Sequence, residues 1–192
     1  MAARGSYAKG VAKREEILTT ALDVIARNGY RGASVRELAD AVGLSQAGLL
    51  HYFSSKEELF TEVLRKRDEV DAATYLGDGG APVDGMIATV RHNAEVPGLV
   101  RLYAQVSIEA TDHDHPSRAH FTERYEALRQ LLSQVVRDEQ SAGRVDPELD
   151  PEHVATLFAA AADGLQNQWL LDPSIDMADQ LAYFWRLVTR HP

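Results

Sequence analysis

The sequence predicts an all-α protein of about nine helices, on three observations. Apolar residues recur at helical spacing almost throughout, and no stretch alternates apolar and polar residues for long enough to make a strand. The helical tracts are also separated by residues that stop helices: Asn28-Gly29, Pro97-Gly98, Gly143, Asp146-Pro147 and Asp172-Pro173.

In chain order, a first helix over residues 11 to 28 gathers Ile17, Leu18, Ala21, Leu22 and Ile25 on one side and stops at Asn28-Gly29. A second begins at Ser34, where S-V-R-E reads as a capping box, and ends near Val42 because Gly43 follows. A third is capped by Ser45 and runs to about Tyr52. A fourth starts at Ser54 or Ser55, where Glu57 and Glu58 offer overlapping capping boxes, and runs to about Tyr75 before the breaker-rich LGDGGAP. Five more are expected over 83–95, 98–110, 117–141, 151–171 and 174–189. Residues 1–55 are read as a basic arm and a three-helix head, and 56–192 as a larger helical domain.

With 45% hydrophobic and 26% charged residues in 192, the composition is that of a globular chain. No apolar run approaches the roughly 18 residues that cross a bilayer, and the first residues lack the apolar segment of a secretory signal, so the expected location is cytoplasmic. The lack of cysteine excludes disulfides, thiolate zinc sites and cysteine nucleophiles. The net charge of −9 hides a division: residues 1–67 carry 11 Lys or Arg against 8 acids, and residues 68–192 carry 9 Arg against 21 acids. Arg4, Lys9, Lys13 and Arg14, with no acid among them, suit either an arm lying along phosphate or a solvated tail.

Helix, tight turn, helix over residues 34–52 is the geometry of a helix-turn-helix. Leu38, Val42, Leu44 and Leu49 can fill its core, Ala39 is small where the helices cross, and Gly43 can take positive φ at the turn. The second of these helices leads with Ser45, Gln46, Ala47 and Gly48, slim enough to approach base edges in a major groove. Gln46 can pair bidentately with adenine. Behind this tip His51, Tyr52 and Lys56 can donate to phosphate, and Phe53 reads as core.

The run from Ile17 through Phe60, centred on SVRELADAVGLSQAGLLHYFSSKEELF, resembles the DNA-binding domain of TetR-type (TetR/AcrR) transcriptional regulators. The resemblance implies a DNA-binding head of three helices plus the start of a fourth, a divergent helical ligand domain, a two-fold dimer formed largely by the last two helices, and repression as the usual outcome. It also implies that Ser34, Arg36, Gln46, Tyr52 and Lys56 contact DNA. Leu50 stands where many members carry a phosphate-contacting tyrosine, so that contact is not carried over.

In the second half, the helix VATLFAAAADGLQNQWLL is apolar around most of its circumference, which requires burial on more than one side. Leu157, Ala160 and Gly164 of this helix and Leu181, Phe184, Trp185 and Val188 of the last are the expected dimer interface. Candidate ligand contacts are His92, Tyr103, Gln105, Glu109, Phe121, Tyr125, Asn167 and Trp169, an acidic and aromatic set suited to a neutral or cationic small molecule. No cofactor and no structural metal is expected. The expected partners are double-stranded DNA, a small-molecule effector and a second copy of the chain.

Rival readings rest on weaker features. Asp112, His113, Asp114 and His115 with Glu109 could bind a metal and make a metal-responsive regulator, but they lack fixed helical ligand spacing. G-L-S-Q-A at Gly43–Ala47 nearly matches a nucleophile elbow, yet it follows a helix rather than a strand and lacks the second glycine, so no enzyme is expected. A helical module binding protein alone is the remaining alternative.

Overall fold

The computed structural model describes residues 2–28, 34–76 and 81–189, with side chains from residue 9 onward. Among them are helices α1 (Ala2–Asn28), α2 (Val35–Ala41), α3 (Gln46–Leu49), α4 (Lys56–Tyr75), α5 (Pro82–Asn93), α6 (Pro97–Glu109), α7 (Arg118–Ser141), α8 (Pro151–Leu171) and α9 (Met177–Val188). No strand occurs among the described residues, only an isolated bridge between Val145 and Thr189. The expected stop at Gly29 and the core of the LGDGGAP break lie outside them. No helix among them is long and apolar enough to cross a membrane.

The chain forms two compact units, residues 1–70 with 96–117, and residues 71–95 with 118–192. In the first, α1 packs on α2 and α6, and α2 on α3. Ile17, Leu18, Ala21 and Ile25 of α1 are buried, as are Leu38, Leu49, Phe53, Leu59, Val63 and Leu64; burying one of the larger of these side chains is worth about 1.5–3 kcal/mol. In the second, α8 packs on α7 and α9, and α5 on α7 and α9. Val136, Val145 and Val154 form a cluster there against which Trp185 and Val188 pack.

Local sequence explains most of the boundaries. Ser34 accepts the Glu37 amide at 3.2 Å while the Glu37 carboxylate accepts the Ser34 amide at 2.9 Å, completing the expected capping box. Pro82, Pro97 and Pro151 each occupy the first position of a helix, where the missing N–H costs nothing. Gly43 and Gly143 adopt φ of 68° and 75°, each just beyond a helix end, where glycine avoids the penalty a Cβ would incur.

Three helix ends differ by three residues or more from those expected. α1 begins at Ala2, not near residue 11: Gly5 and Gly10 weaken this first stretch, but no proline breaks it. α3 stops at Leu49 rather than Tyr52: Phe53 is buried, and the chain turns at Leu50–Tyr52 to carry it inward. α9 starts at Met177 rather than 174, because Asp172 accepts both the amide and the hydroxyl of Ser174 and holds a turn there, leaving Asp176 to cap the helix.

Candidate nucleic-acid interface

α2 and α3 meet at Ala39, which is fully buried, and the Leu44 amide donates to the Ala39 carbonyl at 2.9 Å across the turn. Leu38, Val42 and Leu49 are buried around this crossing and Leu44 is half-buried. With its inner face filled, α3 presents Ser45, Gln46 and Ala47 to the outside, and all three are exposed.

The cap of α3 explains why a glycine stands at 48. Ser45 Oγ accepts the Gly48 amide at 3.0 Å, and a Cβ at Gly48 would lie 3.2 Å from that same oxygen. The slim tip thus serves the cap as well as any approach to a groove. Arg36 is exposed and loosely paired with Asp40 at 4.0 Å, and Ser34 is exposed on its capping box. His51 is exposed and Tyr52 half-buried, their rings 5.9 Å apart edge to face.

At the start of α4 the two expected capping boxes become one divided device. The Ser55 hydroxyl accepts the Glu58 amide at 3.0 Å, while the Glu58 carboxylate accepts the Ser54 amide at 2.7 Å. Beside it, the Glu57 carboxyl is held below the usual carboxylate range, first by a backbone amide and then by the Ser55 hydroxyl. Lys56 is exposed with its ammonium 5.3 Å from the centre of the Phe60 ring, so the stem lies along its own helix and the charge stays at the surface.

Two matches to family models settle what this arrangement belongs to. Residues 17–63 match the model of bacterial regulatory proteins of the tetR family, and residues 88–191 match that of the C-terminal part of BetI-type transcriptional repressors. The chain belongs to the TetR family. It is a DNA-binding transcriptional regulator rather than an enzyme or a helical module that binds protein alone. Among TetR-family relatives, the transcriptional regulator RutR of Escherichia coli K12 is 28% identical over 164 residues, 78% of this chain and 72% of its own. The repressor AcnR of Corynebacterium jeikeium is 25% identical over 158 residues, 80% of this chain and 79% of its own. A solved TetR-family regulator of Agrobacterium tumefaciens superposes with TM-score 0.73 at 18% identity, covering 94% of this chain and all of that one. A regulator of Saccharomonospora viridis, solved in complex with choline, superposes with TM-score 0.70 at 26% identity over 93% and 98% of the two chains.

The candidate ligand contacts of this TetR-family protein divide between the two compact units. In the first unit Tyr103 is buried, while Gln105 donates to Glu109 at 2.9 Å and both are exposed. These two line a cleft of about 190 Å³ with Lys56, Glu57, Phe60, Val106 and His115. In the second unit, Phe121 and Tyr125 have ring centres 6.4 Å apart, and the Tyr125 hydroxyl donates to the Asp163 carboxylate. Asn167 is exposed and donates to the Asp163 carbonyl at 3.2 Å, Trp169 is buried, and His92 pairs with Glu95 at 3.1 Å beside the Tyr75 ring. Asp163 is missing from the sequence-derived set, because an acid in an alanine-rich helix gives no periodic signal that distinguishes it from a surface residue.

Of the expected dimer residues, Leu157 and Ala160 are exposed and Gly164 is half-buried, with open space where its Cβ would be. Phe184, Trp185 and Val188 are half-buried, their rings and methyls packed on Phe158 and the valine cluster of their own unit. Leu181 requires correction: it is 0% exposed in a single protomer and has no surface to give to a partner. Leu171 and Leu187, not singled out from sequence, are exposed at 88% and 66%, and Tyr183 at 52%.

The acidic loop does not gather as a metal site. His113 and Asp114 are exposed, His115 accepts the Ser117 amide at Nδ1, and no three His, Cys, Asp or Glu side chains among the described residues could hold one ion.

Proposed function

We propose that this regulator is a homodimeric, effector-responsive repressor of a near-palindromic operator, with residues 1–55 serving as its DNA-binding head and 56–192 as its ligand and dimer domain. The observation that carries the reading is the exposed, slim tip of α3 over a filled helix-turn-helix core. In it, Gln46 reads base edges with Ser45, Ala47 and Gly48 close to the groove floor, while Ser34, Arg36, His51, Tyr52 and Lys56 hold phosphates. Repression is supported by the naming of the AcnR relatives as repressors. Enrichment of bound duplexes from a random pool tests the whole: a palindrome with half-sites about one or two turns apart supports it, and no enriched sequence refutes it.

The second copy is supported by the apolar side chains that a lone protomer leaves exposed on α8 and α9, namely Leu157, Leu171, Tyr183 and Leu187, next to Ala160 and Gly164.

For the effector we favour a small organic cation. The choline bound by the Saccharomonospora viridis regulator, the excess of acids past residue 67, and the neighbouring Phe121, Tyr125 and Asp163 all point that way. Of the candidates, Phe121, Tyr125 and Asn167, gathered about Asp163 in the second unit, are the contacts proposed for it. A coupling of about 1–3 kcal/mol would change operator affinity about 5- to 150-fold. Titration of choline into the protein–operator complex tests it: release of DNA supports a cationic effector, and indifference at millimolar choline counts against this class.

A further inference from the structure

Two adjacent cations of α1 are engaged with the protein itself, although their charge suggests a grip on phosphate. Lys13 donates from Nζ to the Val42 carbonyl at 3.2 Å and is held by Glu16 at 2.7 Å. Val42 is the C-cap of α2, one residue before the positive-φ Gly43 of the turn. An ammonium at that point meets the negative end of the helix dipole and satisfies a carbonyl that the helix leaves over. Lys13 therefore fastens the chain just before α3.

Arg14 fastens it just after. Its Nη1 lies 2.9 Å from Glu62 Oε2, its Nη2 lies 3.8 Å from Glu58 Oε1, and its guanidinium carbon is 4.8 Å from the centre of the Phe53 ring. Phe53 belongs to the connection between α3 and α4, and Glu58 accepts the Ser54 amide in that same connection at 2.7 Å. Only arginine can stack on a ring and fork between two carboxylates; lysine has the charge but not the plane.

α3 needs such fastening because it has four residues, a single turn that cannot sustain its own geometry. Buried Leu49 and Phe53 hold it against the core, but apolar packing is non-directional and does not fix the angle at which the tip leaves the surface. Base contacts tolerate errors of only about 0.5 Å and 10–20°. We infer that Lys13 and Arg14 are positioning residues, a two-point clamp on the segments flanking α3 that sets its attitude in the DNA groove, and not phosphate ligands.

This assignment rests on the DNA reading above, and electrostatics gives it a test in which the two explanations predict opposite signs. Removing the Glu62 charge makes the DNA-binding unit less negative and should strengthen binding if charge alone matters. If Glu62 anchors Arg14, the same change weakens it. Full-length Glu62→Gln, Arg14→Lys, Arg14→Gln and Lys13→Met would be titrated with the duplex that the wild type enriches and with a random duplex, between 50 and 200 mM salt. The expected result is a selected-to-random affinity ratio reduced about fivefold or more in every variant. The double variant Arg14→Lys/Glu62→Gln should be no worse than Arg14→Lys alone. Because the ratio cancels the fraction of folded protein, partial unfolding cannot imitate the effect. The assignment is overturned if Glu62→Gln binds the selected duplex as tightly as wild type or more so, or if Arg14→Lys keeps the wild-type ratio. It is overturned too if Arg14→Gln or Lys13→Met keeps the ratio while lowering the salt slope by about 0.9, the signature of one lost phosphate contact. A wild-type chain that enriches no duplex would refute the DNA reading itself, which separates the two failures.

Discussion

Thr61 and Ser117, 56 positions apart in the chain, meet hydroxyl to hydroxyl at 2.6 Å with both side chains buried. Thr61 has one proton and gives it to the Glu57 carbonyl at 2.7 Å, so Ser117 must be the donor to Thr61. The two partners are therefore unequal. Thr61→Val removes the acceptor and strands a buried hydroxyl proton, at a cost of about 1–3 kcal/mol; Ser117→Ala leaves Thr61 still donating and costs less. Chemical denaturation of both variants checks the order, and equal losses would show that the donor assignment is reversed.

Gly85 is required by contact rather than by backbone angle. A Cβ there would lie 2.3 Å from the Tyr75 carbonyl oxygen and 2.7 Å from Leu76 Cδ2, so the start of α5 can lie against the end of α4 only without a side chain. Gly85→Ala, which on helix propensity alone would stabilise α5 by about 1 kcal/mol, is expected instead to destabilise by about 1–3 kcal/mol. The sign of the shift in the unfolding midpoint decides between them.

Leu157 is 59% exposed in the protomer, so arginine at that position should not disturb the protomer's fold. At a dimer interface it would place an unpaired charge in an apolar contact, which is strongly unfavourable. Leu157→Arg is expected to give a folded monomer by sedimentation and to lose most operator affinity, since one head alone contacts half a site. A dimer that persists in this variant would move the interface elsewhere.

What the sequence made legible was what is decided within a few residues. The Ser34–Glu37 capping box, the Ser45 cap and the Gly43 turn all depend on neighbours in the chain, and each occurs as read. What it hid was decided by contacts at a distance. The early end of α3 follows from the burial of Phe53, and Leu181 looked like interface because an apolar stripe does not say whether it faces its own core or a partner. Lys13 and Arg14 had the composition of a phosphate arm, and only the positions of Val42, Glu58 and Glu62 show where their charges go. Asp163 had no signal until Tyr125 was beside it.

Gln46 and Lys56 are both exposed, but their expected roles differ in a measurable way. Loss of a base reader should relax preference at one base pair by about 1–3 kcal/mol and leave random duplex binding unchanged. Loss of a phosphate contact should weaken all duplexes alike and lower the salt slope by about 0.9. Gln46→Ala is expected to do the first and Lys56→Gln the second. A uniform loss with Gln46→Ala would take base reading away from that residue.

At the end of α7, Arg144 holds Glu139 through two parallel bonds, Nε to Oε2 at 2.6 Å and Nη2 to Oε1 at 2.8 Å, across the positive-φ Gly143. The turn they brace delivers Val145 into the valine cluster. The guanidinium holds the Glu139 carboxyl below its ordinary value of 4.5, outweighing the opposing effect of burial. Because the folded value is depressed, the stabilisation is fully present above the unfolded value near 4.5 and is lost as pH falls through the lower folded value. Arg144→Gln should return the Glu139 midpoint to near or above 4.5, measured by carboxyl NMR titration. The stability difference between wild type and variant should be flat from neutrality down to about pH 5.5 and vanish in stronger acid. A difference that instead grew on acidification would mean that Arg144 acts by packing or by repelling another cation, and not through Glu139.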